Sequence, residues 1–236
     1  MGYWLDLLYP VRCPLCKELR PYGEDMVCPE CGKTLAWVEE PVCLKCGKGV
    51  EHEEDEYCED CLRIPKSYQQ GFPAFWYTGN VKASLYDFKY KNQRNYAKFY
   101  SRSIYRRHGM QLQKLGISGI VPVPVHPHKK RVRGYNQAEI LANELGKKLG
   151  IPVYPDYLER IIDTNPQKEL NDKARMKNLK NAFKIGRNKI KLKRVLVVDD
   201  IYTSGATIEA CAKVLIADGT ERVYYTSVAI GRGFSS

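Results

Sequence analysis

Two groups of residues in this 236-residue chain have the types and spacing to do chemistry. The first is a set of eight cysteines in four Cys-x-x-Cys pairs: Cys13/Cys16, Cys28/Cys31, Cys43/Cys46 and Cys58/Cys61. The pairs recur every fifteen residues, always separated by eleven. Zinc accepts four thiolates in a tetrahedron, so eight cysteines make two closed structural sites with no open position for catalysis. Gly32 and Gly47 follow two of the pairs, where tight turns are expected to aim backbone amides at sulfur. Two pairings remain open. Consecutive ribbons join 13/16 with 28/31 and 43/46 with 58/61, and a cross-braced arrangement joins alternate knuckles. Each spacer is long enough for a hairpin, which favours the consecutive form. The competing reading is a set of disulfides. "MGYWLDLLYP" is not a secretory signal, and the reducing cytosol makes this pattern metal-binding instead. His52, in the acidic run "EHEEDEYCED", reads as a solvated loop residue, and Cys211, alone in a helical pattern, as a small buried one.

The second group is "VLVVDDIYTSGAT", Val195 to Thr207. An apolar run stops at Asp199 and Asp200, where the strand is expected to end. Tyr202, Thr203, Ser204, Gly205, Ala206 and Thr207 then lead into "IEACAKVLIADG", a helix closing at Gly219. Free amides and the dipole at a helix N-terminus favour an anion, and Gly205 permits close backbone approach. Two carboxylates beside such a cradle suit a ribose phosphate, accepting from its vicinal hydroxyls while the loop holds the 5′-phosphate. A Walker loop is excluded, because GxxxxGK[ST] is missing.

A similar strand-loop-helix unit lies upstream. "GIVPVPV" is a short strand that Pro122 and Pro124 bring to an end. The basic loop "HPHKKRVRGYNQ" follows, and "AEILANELGKKLG" is a helix opened by Gln137 and closing on Gly150. Lys129–Arg133 is either an anion site or a solvated basic loop, and its place between strand end and helix start favours the former. His126 and His128 are either catalytic bases or loop residues without a role. Earlier still, "PAFWYTGN" reads as a strand and turn, with Asn80 as N-cap of a helix from Val81. From there to Leu115, Tyr86, Phe88, Tyr90, Tyr96, Phe99, Tyr100 and Tyr105 are interleaved with lysines and arginines. Such a segment is either a stacking surface for single-stranded nucleic acid or a pair of amphipathic helices with aromatic cores, and the second reading covers most of the rings. Leu158 to Ala182 reads as a polar loop running into a short helix, and "RVYYTSVAIGRG" as a further strand.

Alternating strands and helices predict an α/β fold with a parallel sheet flanked by helices and sites at the C-terminal strand ends. Charge divides the chain at the same place as the cysteines. Residues 1–65 hold 7 Lys+Arg against 14 Asp+Glu, and residues 66–236 hold 31 against 13, so a net −7 faces a net +18. We therefore expect a zinc-binding unit over 1–65 and an α/β unit over 66–236 whose basicity attracts polyanions. No segment has the apolar length to span a bilayer, so membrane insertion is not expected and the expected location is cytoplasmic.

The signature "VLVVDDIYTSGAT" resembles the phosphoribosyl-pyrophosphate (PRPP) motif of type I phosphoribosyltransferases. Four knuckles followed by "FKYKNQRNYA", "VPVPVHPHKKRVRGYNQAEILA", "TNPQKELNDKARMKNLKNAF" and that signature resemble, across nearly all of the chain, the ComF family. "RGYNQAE" is the most distinctive piece. The resemblance implies a type I phosphoribosyltransferase-like domain behind a double zinc ribbon. It implies PRPP or a related ribose phosphate, with Mg²⁺ for the diphosphate, at Asp199–Thr207. By order it places the pyrophosphate loop at Lys130, Arg131, Arg133 and Gly134, and a closing loop at Gln167, Arg175 and Asn178. It also implies a role in DNA uptake through single-stranded DNA and a helicase partner. The alternative is an active enzyme that transfers phosphoribosyl to a nitrogen acceptor. Residues 1–12 contain no cysteine, so glutamine-dependent amidotransfer is not expected.

Overall fold

The computed structural model describes residues 12–19, 26–163, 179, 181–187 and 190–232. A four-stranded parallel sheet organises them, in the order β1 (Gly71–Trp76), β6 (Arg222–Ile230), β5 (Arg194–Tyr202) and β2 (Gly119–Pro122). The central strands β5 and β6 are apolar on both faces, as a strand buried on both sides requires. Pro73 sits in β1 and Pro122 ends β2, so the prolines occupy the two outer strands, where a missing N–H is tolerated.

Both outer edges carry further pairing. Val38 N donates to Ala74 O at 3.0 Å and Trp76 N to Ala36 O at 2.8 Å, so the chain between the two cysteine units runs along β1. Ile120 N donates to Pro152 O at 2.9 Å and Tyr154 N to Ile120 O at 2.8 Å along β2. Edge groups that would otherwise template aggregation are thereby used.

Helices α3 (Gly79–Tyr90), α4 (Tyr96–Lys114) and α6 (Gln137–Leu149) cover one face, packing Leu85, Phe88, Tyr100, Ile104, Leu141 and Leu145 onto Leu196, Val198 and Val228. Helix α7 (Ala206–Ala217) covers the other, with Ile208, Cys211 and Leu215 against Val195, Val197 and Val223. Cys211 is fully buried, as its place in the helical pattern predicts. A small antiparallel pair, β3 (Leu158–Arg160) and β4 (Phe183–Ile185), adds to that second face.

Several local expectations are corrected. The helix expected from an Asn80 cap begins at Gly79, after Thr78. The segment expected as a basic loop is helix α5 (Pro127–Arg133), started by Pro127 at its first turn and stopped by Gly134 at φ 77°. The polar stretch from Leu158 opens as strand β3. Expectations at α6 and α7 hold: Gly150 closes α6 at φ 70°, and Gly219 follows α7 at φ 102°.

The two cysteine units repeat one plan. In each, the first pair sits on a tight hairpin, bridged at Arg12–Leu19 and Val42–Gly49. The second pair starts a short helix, α1 (Pro29–Lys33) after Cys28 and α2 (Glu59–Arg63) after Cys58. The left-handed turn residue is Lys17 in one unit and Gly47 in the other, both at φ 69°. Gly32, expected at such a turn, lies inside α1 instead. The second unit is fused to the sheet. A Cβ on Gly47 would stand 2.5 Å from Gly71 O, and one on Gly71 would stand 2.2 Å from the Tyr225 ring.

Gly71→Ala should therefore destabilise the zinc-loaded protein by about 1–3 kcal/mol, through overpacking against Tyr225. An unchanged urea midpoint would show that this contact yields cheaply.

Candidate functional site

Strand β5 pairs with β2 on one side and β6 on the other, and it runs on to Tyr202 rather than stopping at Asp199. Its extra length follows from β6, whose partner residues continue to Ile230. Asp199 and Asp200 therefore lie in paired strand, where successive side chains alternate between faces. Asp200 shares the Leu196/Val198 face and forms a 2.9 Å ion pair with Lys89 Nζ from α3. Asp199 shares the Val195/Val197 face, towards α7 and Arg160 of β3, and its Oδ1 accepts from Asp200 N at 2.8 Å.

Burial, and next the Asp200 charge, push the Asp199 carboxyl up to about 7, against the pull of Lys89 and Arg160. Burial works against the Lys89 charge, but Asp200 and then Asp199 outweigh it and hold the ammonium above its ordinary range. Burial lowers the Arg160 guanidinium, with Asp199 opposing. The strand end thus holds two carboxyl groups between two cations, with Asp199 poised near neutral pH.

Beyond it the loop turns sharply. Gly205 has φ 74°, and a Cβ there would stand 2.2 Å from the Tyr202 hydroxyl. Thr203 is exposed, Ser204 and Thr207 are half-buried, and Ala206 is buried in the first turn of α7. No side chain caps α7, so its first amides remain available to an anion. Tyr202 departs from the expected ligand set: its ring turns into the core, 4 % exposed, and its hydroxyl meets the Tyr68 hydroxyl at 2.8 Å. It supports the loop from beneath.

The expected pyrophosphate loop is a helix end with assigned partners. Lys130 Nζ lies 3.1 Å from Glu139 Oε2, and Arg131 is exposed. Arg133 lies over the Tyr90 ring at 5.1 Å and approaches Gln137 Oε1 at 3.4 Å. The rest of "RGYNQ" makes contacts within the fold. Gly134 caps α5, and Tyr135 donates its hydroxyl to Phe88 O. Asn136 donates to Val123 O at 3.0 Å while its Oδ1 caps Ala138 N at 3.1 Å, and Gln137 donates to Lys89 O at 3.3 Å. Two of these bonds grip the carbonyls of Phe88 and Lys89, which places the Lys89 ammonium beside Asp200. His126 and His128 stand 3.5 and 3.1 Å from Asp163, and Lys129 stands 3.3 Å from it. A cleft of about 340 Å³ opens between α5 and β3, lined among others by Pro124, His126, Lys130, Glu139 and Arg160.

Sequence reasoning gave no role at this site to Lys89 or Arg160, because nothing in local spacing brings α3 or β3 to the end of β5. Gln167, Arg175 and Asn178 lie outside the described residues. Most rings of the aromatic segment follow the amphipathic-helix reading. Phe88, Tyr96, Phe99 and Tyr100 are buried, whereas Tyr86 and Tyr90 are 57 % and 56 % exposed with ring centroids 4.9 Å apart.

The cysteines form two clusters, Cys13/Cys16/Cys28/Cys31 and Cys43/Cys46/Cys58/Cys61, each with its sulfurs within 4.8 Å of one another. Consecutive pairing is thereby settled. Cys16 and Cys28 sulfurs lie 3.7 Å apart, and Cys46 and Cys58 sulfurs 3.5 Å. Four thiolates about 2.3 Å from one zinc ion stand roughly 3.8 Å apart, so both clusters fit tetrahedral zinc. Each sulfur offers one ligand atom, which makes both sites structural.

A double zinc ribbon domain model matches residues 4–62. Competence protein F of Haemophilus influenzae is 30 % identical over 179 residues, covering 72 % of this chain and 76 % of that protein. The chain belongs to the ComF family. DNA utilization protein YhgH of Escherichia coli K12 is 26 % identical over 170 residues, covering 69 % and 73 %. Among solved structures, orotate phosphoribosyltransferase from Aeropyrum pernix is similar over 61 % of this chain and 72 % of that one, with 16 % identity and a TM-score of 0.33. As a ComF protein the chain joins an N-terminal double zinc ribbon to a parallel sheet flanked by helices. No helix among its described residues is long and apolar enough to cross a membrane.

Elemental analysis should give two zinc ions per ComF chain, one for each cluster, and Cys58→Ser should lose the second while keeping the first. A single zinc in the unaltered chain would overturn the assignment.

Proposed function

We propose that this ComF protein binds PRPP or a related ribose 5-phosphate at the end of β5, and that it serves DNA uptake by holding single-stranded DNA beside that site. The observation that carries the first part is the acid pair Asp199/Asp200 directly before an uncapped helix N-terminus at Gly205. The 5′-phosphate is assigned to the amides and hydroxyls of Thr203, Ser204, Gly205, Ala206 and Thr207, and the ribose hydroxyls to the two carboxylates. A diphosphate would lie toward Lys130, Arg131, Arg133 and Gly134. Mg²⁺ takes oxygen ligands, and Asp199 and Asp200 supply them, so the donor set fits a Mg²⁺ carried in with the diphosphate.

Calorimetry with PRPP and Mg²⁺ tests the site. Undiminished binding by Asp199→Ala/Asp200→Ala would remove it. The raised Asp199 carboxyl adds a pH signature. Below about 7 it is protonated and accepts weakly, and above that it offers a charge-assisted acceptor. Affinity should therefore rise between about pH 6 and 8 by more than phosphate ionisation alone provides, and Asp199→Asn should lose the excess.

The DNA part is supported by the relatives named for competence and DNA utilization and by the exposed pair Tyr86/Tyr90 with Arg133 over it. Bases stack on such rings for about 1–3 kcal/mol each, while neighbouring cations take phosphates. Tyr86→Ala/Tyr90→Ala should weaken single-stranded DNA binding at least tenfold, and binding should fall steeply with salt. Equal affinity of the variant and the parent for a long oligonucleotide would dismiss this surface. The acidic zinc-bearing segment, net −7 over 1–65, is the proposed docking face for a helicase partner in the cytoplasm. A second reading, phosphoribosyl transfer to a nitrogen acceptor, is favoured by the cleft beside His126 and Arg160. Pyrophosphate release on adding purines, pyrimidines or amines would establish it.

A further inference from the structure

Residues 66–68 join the second cysteine cluster to the loop after β5. Lys66 is 9 % exposed, and its Nζ donates to Ser204 O at 3.1 Å. Ser67 grips Glu209 in the first turn of α7 twice, from its N at 2.7 Å and its Oγ at 2.8 Å. The Tyr68 hydroxyl meets that of Tyr202 at 2.8 Å. Tyr202 stacks on Tyr225 with centroids 4.8 Å apart at 11°, and the Tyr225 hydroxyl donates to Cys46 O at 2.7 Å. The path thus begins at a zinc ligand and ends on both sides of Gly205, whose missing Cβ makes room for the Tyr202 hydroxyl. Tyr68, Tyr202, Tyr225 and Glu209 are all buried, so their bonds are not exchanged cheaply for water.

The first cluster has different neighbours. Cys13, Leu15 and Cys31 pack in the core of the opposite sheet face, and Lys17 pairs with Asp87 of α3 at 2.7 Å. The molecule therefore carries an internal control: two similar clusters, of which the second reaches the loop through these bonds.

We propose that Lys66, Ser67 and Tyr68 are positioning residues, through which zinc in the second cluster sets the conformation of the loop Thr203–Thr207. Structural zinc supplies the folding energy of its ribbon. Without it, α2 and the strap that leaves it lose their anchor, Ser204 O loses the Lys66 donor, Glu209 keeps only Lys213, and the anion cradle loosens. Loss of zinc from the first cluster leaves the strap in place. The link between zinc and loop stands apart from the ligand proposed above, and its consequence for affinity rests on that reading.

Hydrogen exchange on the full chain tests the link directly. Cys58→Ser should speed exchange across residues 202–209 about tenfold or more while β6 stays protected, and Cys28→Ser should leave those residues unchanged. Lys66→Met/Ser67→Ala, with two zinc ions retained by elemental analysis, should reproduce the loosening, which separates the strap from collapse of the ribbon. Full protection of 202–209 in that double variant, or equal loosening by Cys28→Ser, overturns the proposal. Calorimetry with PRPP and Mg²⁺ forms the second arm, with about tenfold weaker binding expected in the double variant. If the unaltered chain binds no PRPP, the ligand assignment fails, and the exchange result still decides the strap.

Discussion

An acid pair at the end of a central strand has little water to solvate it, and a carboxylate there keeps its charge only with a cation held against it. That constraint organises much of this molecule. Lys89 meets Asp200, and Lys89 is held by the bonds from Tyr135 and Gln137 to the α3 carbonyls. Those residues stand in register because Gly134 stops α5 and Asn136 starts α6. A motif that reads as a phosphate-contacting loop thus spends two of its residues, Tyr135 and Gln137, on positioning a lysine from another helix. Arg160 approaches Asp199 from the other face, so each carboxylate answers to a different layer of the fold. One consequence is that the end of β5 depends on elements far apart in sequence, and a change in α3 or β3 should be felt there.

The ribbons obey a second constraint. A zinc ribbon alone has almost no core, so its stability comes from metal and from whatever it leans on. The second ribbon leans on the sheet so closely that Gly47, Gly71 and Tyr225 share one contact, and its thiolates belong to the cluster that contains Val197 and Ile208. The connector between the ribbons also pairs with β1 and covers the sheet edge. Burial and hydrogen bonding therefore join the two units that composition separates, and the charge contrast between them marks surfaces rather than independent bodies.

What was legible in the sequence was whatever local chemistry determines. Eight cysteines at fixed spacing imply two zinc sites, glycines at helix ends place the stops of α6 and α7, and an apolar run leading to two aspartates marks a central strand. Spacer length favoured the consecutive pairing that the clusters adopt, whereas the extent of β5 and the inward turn of Tyr202 were not legible, because each is decided by a partner elsewhere: strand β6 and Tyr68. The basic stretch before "RGYNQ" reads as loop from its prolines and charges. It is helical because Pro127 favours a first turn and Gly134 supplies the left-handed stop. Periodicity was ambiguous for the aromatic segment for a good physical reason: helix α3 uses Phe88 for the core and leaves Tyr86 and Tyr90, four residues apart, on the same outward face.

The charge pattern has a further bearing on how the parts work together. A net +18 over residues 66–236 draws polyanions, yet the site at the end of β5 carries two carboxylates. These opposing signs are reconciled by distance. At physiological salt the long-range field is screened beyond about 8 Å, so the basic surface governs encounter while the acid pair governs what fits. Within that short range Lys89 and Arg160 offset the pair, and Asp199 is poised near 7, so the local charge rests close to balance. A simple phosphate gains only the helix N-terminus there, whereas a ribose phosphate also offers hydroxyl donors to the carboxylates. Under the proposed assignment, selection for the sugar over a bare anion would follow from putting acids where a pure anion site would put cations.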